Sequence, residues 1–279
     1  MRILLTGSSG LFAPYLFREA KRYGQVISSS RNSGDLPADL ASADSVKKLI
    51  EDSEPNWVIH TAARTNVDDC ERRPALAYRD NVLPVANLVK NLSTDVHLLY
   101  LSTDQVYPAR HGPHKEDDVG PMNIYGKSKL AGENKALCHQ KVTIVRTNFF
   151  GPSLSNNRQS LDDFVINSLR HGKEITLFSD VLFSPLHMTT LASLSLQLFK
   201  KSIMGIFNLG SNCGFSKAEF GLMIAKRLSI QTKTAIVAPS STILSRAPRP
   251  TDLRVDPRKI EQRLRVRMPT LVEEIAKLA

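Results

Sequence analysis

The first thirteen residues constrain this chain most. Arg2–Thr6, "RILLT", is a short apolar run that ends directly in a glycine-bearing loop, "TGSSGLFA". A segment with helical spacing follows, "YLFREAKRYG", and stops at Gly24. A strand, a tight turn and a helix in that order form one α/β unit, and the pattern then repeats. "QVISSS" reads as a second strand. "SADSVKKLIEDS" reads as a helix with Ser42 as N-cap. "NWVIHTAA" is a third strand, and "ALAYRDNVLPVANLVKNLS" is helical with Pro84 as a kink point. "VHLLYLST" and "KVTIVRTN" are further strands. Continuous apolar runs separated by helices indicate a parallel sheet covered on both faces. The expected class is α/β, a Rossmann-type doubly wound sheet.

After Asn148 the rhythm loosens. "GPSLSNNRQS" reads as a loop and "APSSTILSRAPRPTD" as irregular, with short elements "EITLF", "TTLASLSLQLFKK", "GIFNLGS" and "KAEFGLMIAKRLS" around them. The expected division is a nucleotide-binding domain over 1–148 and a smaller mixed α/β substrate lobe over 149–279. Residues 186–209 are a candidate return to the first domain.

In the glycine loop, Gly7 permits the tight turn and Gly10 lets backbone approach a pyrophosphate. Ala13 stands where a third glycine would serve close helix–strand packing, which a small residue also allows. The following helix aims its N-terminal amides at the phosphates. The position after a first strand and before a helix is the context that favours dinucleotide binding over an ordinary turn. The second strand ends Ser28-Ser29-Ser30-Arg31, with no acid before Asp35. Ser30 and Arg31 favour NADP(H) over NAD(H), since arginine accommodates a 2′-phosphate and an acid would bond ribose hydroxyls. The alternative is a surface loop in which Arg31 is incidental.

The chain has 279 residues, 42% hydrophobic, enough for a sizeable core. Lys and Arg number 37 against 27 Asp and Glu, a formal charge of +10 that suits a phosphate-bearing ligand. The excess is dense from Arg246 to Arg267, but Asp252, Asp256 and Glu261 interrupt it, so an ion-paired surface fits as well. Nucleic acid is not expected, because no aromatics interleave the basic residues. No apolar run is long enough to span a membrane, and the start is too short for a signal peptide, so a cytoplasmic location is expected. Cys70, Cys138 and Cys213 lie far apart without ligand spacing, which points to reduced thiols and no metal site.

"NIYGKSK" holds Tyr125 and Lys129 at i,i+4, on one helix face. A lysine ammonium beside a phenol lowers the phenol pKa and makes it a proton donor or acceptor. Read alone, the pair fits better a surface Tyr and Lys on a solvated helix.

Taken together, the glycine loop, "STDQVY" and "YGKSK" resemble the extended short-chain dehydrogenase/reductases. "HTAARTNVDDCE", "YGKSKLAGE", "FSPLHMTTLA" and "APRPTDLRVDPRKI" narrow the likeness to the dTDP-4-dehydrorhamnose reductase branch, over nearly the whole chain. The resemblance implies a catalytic set of Thr103, Tyr125 and Lys129: Tyr125 protonates a carbonyl oxygen, Lys129 lowers the tyrosine pKa and binds the nicotinamide ribose, and Thr103 holds the carbonyl oxygen. It puts Gly10, Leu11 and Phe12 at the pyrophosphate, Asp39 and Leu40 near the adenine, and Ala62, Ala63 and Arg64 along the cofactor. Packing is the alternative for each of these. His60 reads as structural. The resemblance also implies a nucleotide-sugar substrate and a role in polysaccharide or glycan precursor synthesis; relatives often form a homodimer, but the sequence leaves the oligomeric state open.

Related dehydratases carry Asp-Glu after the catalytic Thr. Here Asp104-Gln105 follows, and glutamine cannot act as acid or base. The resemblance therefore implies sugar contacts from Asp104 and Gln105 rather than water elimination. Arg146-Thr147-Asn148-Phe149 departs from the reductases' Arg-Thr-Ser-Trp type of segment and is similar to the epimerase form, in which the Asn contacts the nucleotide sugar. Phe149 offers an apolar face to sugar or base, or packs in the core. The leading expectation is an NADPH-dependent 4-ketoreductase of a nucleotide-linked deoxysugar. The alternatives are an epimerase of the same superfamily and a non-catalytic NADP-binding regulatory subunit.

Overall fold

The computed structural model describes residues 1–155, 158–243 and 246–278. The pairs 156–157 and 244–245, inside the two segments read as irregular, lie outside the described residues.

Six parallel strands form the large sheet: β1 (Arg2–Thr6), β2 (Gln25–Ser29), β3 (Trp57–His60), β4 (His97–Leu101), β5 (Val142–Thr147) and β10 (Gly205–Leu209), in the order β10-β5-β4-β3-β1-β2. Alternate side chains along each strand serve opposite faces. Ile3, Leu5, Ile59, Leu99 and Val145 pack beneath α1 (Ala13–Ala20) and α8 (Met188–Lys200). Leu4, Val58, Leu98, Tyr100 and Ile144 meet α2 (Ala43–Ser53), α5 (Leu83–Asn91) and α6 (Ile124–Ala136). Burial on both faces explains why these strands read as unbroken apolar runs; all five residues of β4 are buried.

Ser42 caps α2 as expected, its Oγ accepting from the Ser45 amide. The helix read across Pro84 is two helices, α4 (Pro74–Asn81) and α5, parted at Val82. Proline lacks an N–H and is tolerated in a first turn, so Pro84 starts α5 instead of kinking one long helix. A short α3 (Val67–Arg72), capped by Asn66, precedes them. α8 packs against the first half of the sheet, and β10 pairs with β5 at its edge, so chain from 188–209 lies on the large sheet.

The remaining elements are small. β6 (Phe149–Phe150) pairs with β9 (Leu186–His187), β7 (Ile175–Phe178) with β12 (Ala235–Ala238), and β8 (Leu182–Phe183) lies between β11 (Phe215–Ser216) and β13 (Asp252–Leu253). Around them stand α7 (Leu161–Arg170), α9 (Lys217–Arg227), α10 (Arg258–Leu264) and α11 (Leu271–Ile275). Their core includes Phe150, Phe183, Phe220, Leu253 and Leu271. Capping boxes fix the starts of α7 (Ser160/Asp163), α9 (Ser216/Glu219) and α11 (Thr270/Glu273).

The chain reverses its direction of strand addition between β1 and β3, the switch point where ligands of open α/β sheets bind. Gly7 sits there with φ +79°, and a Cβ on it would stand 2.5 Å from the Ala62 amide nitrogen. Gly126 brings α6 against the turn after β4: a Cβ would collide with the Gln105 carbonyl oxygen. Gly126→Ala should therefore push the helix off that turn and destabilise by about 1–3 kcal/mol, the usual range for overpacking. Urea titration should show a lower midpoint at unchanged slope; an unchanged midpoint would contradict the close packing.

Candidate functional site

One cavity of about 1160 Å³ opens at the carboxyl ends of the large-sheet strands. It gathers the residues singled out in the sequence: Gly7, Gly10, Leu11 and Phe12; Ser30, Arg31, Asp39 and Leu40; Ala62, Ala63 and Arg64; Thr103, Asp104 and Gln105; Tyr125 and Lys129; Asn148 and Phe149.

At its centre, β4 ends and Thr103 caps the turn Asp104–Val106, its Oγ1 accepting the Gln105 amide at 3.2 Å. The same hydroxyl donates to Asp104 Oδ1. Asn148, just past β5, donates from Nδ2 to Asp104 Oδ2 at 2.7 Å. Asn123 ties this turn to α6: its Oδ1 caps the Gly126 amide and its Nδ2 donates to Gln105 Oε1. The opening turn of α6 then presents Tyr125, and Lys129 follows one turn later. The Lys129 ammonium donates to the Leu101 carbonyl at 2.7 Å and lies 4.1 Å from the centroid of the Tyr100 ring.

The electrostatics differ from the sequence expectation. Lys129 was expected to lower the Tyr125 pKa. In this site burial dominates and raises it, the Thr103 hydroxyl pulls the other way, and the Asp104 charge raises it again. The lysine yields instead: burial pushes its ammonium down to about 7, against the pull of Glu133. Tyr125 is thus held as a neutral phenol, the form that can give a proton. Burial likewise raises the Asp104 carboxyl, with Asn148 and the Lys217 charge opposing. His60 is fully buried, hydrogen-bonded through Nδ1 to Thr6 Oγ1 and stacked on Tyr100. Burial, then the Lys129 charge, lowers its pKa to about 3, which fits a packed neutral ring.

At the glycine-loop end, the Gly10 amide donates to the Gly7 carbonyl at 2.8 Å, and the Phe12 ring stacks on Phe149 at 5.2 Å. Ser30 bonds within its own turn, to Ser33. Arg31 remains more than half exposed and reaches Asp80 at 3.2 Å and Asp39 at 3.8 Å. Arg79 bridges the same two carboxylates, and Arg64 joins Asp80 to Asp69. Asp35 accepts from the Ser28 amide and hydroxyl instead of reaching this end.

Sequence reasoning did not single out Lys217 or Ser240 for this cavity, and it read Arg246 and Arg249 only as part of a basic stretch; all four line it. They lie over a hundred residues from Thr103, and no local spacing marks them. The three cysteines are free, Cys70 packed beside Tyr125 with its thiol pushed up to about 11 by burial. Among the described residues no cluster of His, Cys, Asp and Glu could hold a metal, and no helix is long and apolar enough to cross a membrane.

The profile of the family described as RmlD substrate binding domain matches residues 1–279. The beta subunit of methionine adenosyltransferase 2 from Xenopus tropicalis is 28% identical over 94% of this chain and 82% of its own length. A probable low-salt glycan biosynthesis reductase of Haloferax volcanii is 26% identical over 100% of this chain and 97% of its own. The crystal structure of a dTDP-4-dehydrorhamnose reductase from Clostridium acetobutylicum superposes with a TM-score of 0.87 at 26% identity, covering 99% of this chain and 98% of that one.

A lysine whose folded pKa lies below its unfolded value leaves the unfolded chain binding more protons between the two values. Stability should then rise with pH through that interval. For Lys129 the interval runs from about 7 to the ordinary lysine value of 10.5. Thermal melts of the ligand-free protein should show part of a rise from pH 7 to pH 9.5 that Lys129→Met lacks. Parallel profiles for the two proteins would mean that the ammonium is not desolvated.

Proposed function

The chain belongs to the RmlD substrate binding domain family, and on that premise we propose that it reduces the 4-keto group of a nucleotide-linked deoxysugar with NADPH. It is an NAD(P)-dependent oxidoreductase with a Rossmann-type sheet. The observation that carries the reading is the convergence of Thr103, Tyr125 and Lys129 on one cavity with the glycine loop.

The residues present fit a dinucleotide. Gly7 takes a backbone conformation open to glycine, and a Cβ there would fill the space against Ala62. Gly10, Leu11 and Phe12 would hold the pyrophosphate, with Asp39, Leu40, Ala62, Ala63 and Arg64 along the rest. Arg31, with Ser30 beside it, is the residue we assign to a 2′-phosphate. It is exposed enough to exchange its Asp80 contact for that dianion, which favours NADP(H) with NAD(H) as the alternative.

Bound NADPH supplies the hydride. Tyr125, kept neutral by burial, gives its proton to the carbonyl oxygen, and Thr103 donates a hydrogen bond to the same atom. Lys129 steadies the developing phenolate and bonds a ribose hydroxyl. Asp104 and Asn148, already joined at 2.7 Å, orient sugar hydroxyls together with Gln105 and Phe149. Gln105, lacking a titratable carboxyl, leaves the site without the second acid–base group of a dehydratase.

A second reading rests on the relative named as a subunit of methionine adenosyltransferase 2: this chain would bind NADP and a partner protein. An epimerase of the same superfamily remains the alternative that consumes no net NADPH.

Purified protein with NADPH and dTDP-4-keto-6-deoxy-L-mannose should lose absorbance at 340 nm. Tyr125→Phe should lower the rate at least ~100-fold, the usual weight of general acid catalysis. Arg31→Ala should raise the KM for NADPH roughly tenfold, the loss of about one charge-assisted contact, and leave NADH nearly unchanged. No oxidation by a folded protein that binds NADPH would refute that substrate, and co-purification with a partner would then favour the subunit reading.

A further inference from the structure

Beyond β5 the chain returns to the glycine loop and α1 at three points. The Phe149 ring stacks on Phe12 at 5.2 Å. The Tyr15 hydroxyl, on α1, donates to the Pro152 carbonyl at 2.6 Å. Arg158 Nε donates to the carbonyl of Ser9, which lies between Gly7 and Gly10, at 2.8 Å. Ser9, Gly10, Leu11, Phe12 and Arg158 all line the large cavity. A guanidinium is one rigid plane, so fixing Nε on Ser9 keeps both terminal nitrogens at the glycine loop.

Those nitrogens are uncommitted. Among the described residues Arg158 Nη1 and Nη2 donate to no protein acceptor, and no carboxylate lies within ion-pair distance of them. The acids that open α7 are engaged elsewhere: Asp162 accepts from the Gly151 amide, and Asp163 from the amides of Ser153 and Ser160. Arg31 and Arg64, in the same cavity, are by contrast each paired with Asp80. The glycine loop has donors in the same condition. The Gly10 amide bonds the Gly7 carbonyl, and the Ala13 amide the Gly10 carbonyl. Among the described residues the amides of Leu11 and Phe12 donate to no protein acceptor, and no side chain caps α1. Phe12 is buried. Unpaired amides at a buried helix start suit an anionic partner.

Resting on the reading of a dinucleotide at the glycine loop, we propose that Arg158 binds the pyrophosphate of NADP(H), closing on it from the second half of the chain while the Leu11 and Phe12 amides hold it from the first. Backbone amides meet the pyrophosphate charge with dipoles alone. Arginine adds a full charge and a fork of donors that fits phosphate oxygens. The bond to Ser9 holds that fork in place before the cofactor arrives, which lowers the ordering cost of binding. Arg158 is thus a binding residue for a group that NADPH and NADH share. Arg31 differs, since the 2′-phosphate assigned to it is absent from NADH.

The test is calorimetric titration of NADPH, NADH, ADP-ribose and adenosine 2′-phosphate into wild type, Arg158→Met and Arg158→Lys. Arg158→Met should weaken NADPH, NADH and ADP-ribose by a common factor of about ten, the weight of one charge-assisted contact. Arg158→Lys keeps the charge without the fork and should fall between the other two proteins. Adenosine 2′-phosphate, which has no pyrophosphate, should bind all three alike. The Arg158 side chain is exposed, so the variants should melt with wild type and the comparison is made on folded protein. Equal NADPH affinity in wild type and Arg158→Met overturns the proposal and leaves the cofactor reading standing. A loss for NADPH that spares NADH and ADP-ribose moves Arg158 to the 2′-phosphate and overturns it as well. Wild type that binds none of the dinucleotides removes the cofactor reading, and the proposal with it.

Discussion

The site hangs on one buried ion pair. Arg146 on β5 and Glu133 on α6 are almost wholly inaccessible and meet at 2.6 Å. Both Arg146 Nε and Nη2 donate to the carboxylate, and Nη1 reaches the Glu116 carbonyl and the Tyr107 hydroxyl. Ser102, next to Thr103, donates to Glu133 as well. Burying such a pair yields little net stability, whereas removing one partner strands a charge, at about 3–5 kcal/mol. Its value lies in position. Tyr125, Lys129 and Glu133 follow one another at i, i+4 and i+8 along one face of α6. Fixing Glu133 to β4 and β5 fixes the rotation of that face, and so the placement of the phenol and the ammonium beside Thr103.

The same burial decides the protonation states. In an exposed i,i+4 pair the ammonium would govern the phenol. Here both groups have left water, and desolvation acts on each against its own charge, raising Tyr125 and lowering Lys129. Glu133 offsets part of the effect on Lys129, so one carboxylate both anchors the helix and helps keep the lysine charged. A ligand-free site poised in this way has a neutral acid ready to give a proton and a lysine whose charge burial disfavours and Glu133 supports. The geometry and the electrostatics have one cause, the depth at which the first two turns of α6 are buried.

What the sequence disclosed follows from locality. The glycine loop, the Tyr-Lys pair and the apolar strands each depend on residues within a few positions, and each was readable. Ser42 as a cap was readable for the same reason. Pro84 was visible as a disturbance, but whether it bends or starts a helix depends on how α4 and α5 pack. The direction of the Tyr125 shift was not readable, because spacing carries no information about depth. The two-residue strands beyond Asn148 are too short for periodicity to register, and their pairings join residues far apart. Lys217 fell in "KAEFGLMIAKRLS", which read only as a short element.

These long-range placements explain how one cavity can hold its cations in two ways. Around Arg31, arginines and aspartates alternate about Asp80, a neutralised rim whose guanidiniums can be redirected by a stronger anion without leaving a bare charge when none is bound. Elsewhere in the lining Lys217 and Arg246 rest on aromatic rings and have no carboxylate within ion-pair distance among the described residues. The first arrangement is one of direct ion pairs, while in the second Asp104 attracts Lys217, and Asp68 and Asp180 attract Arg246, without direct contact.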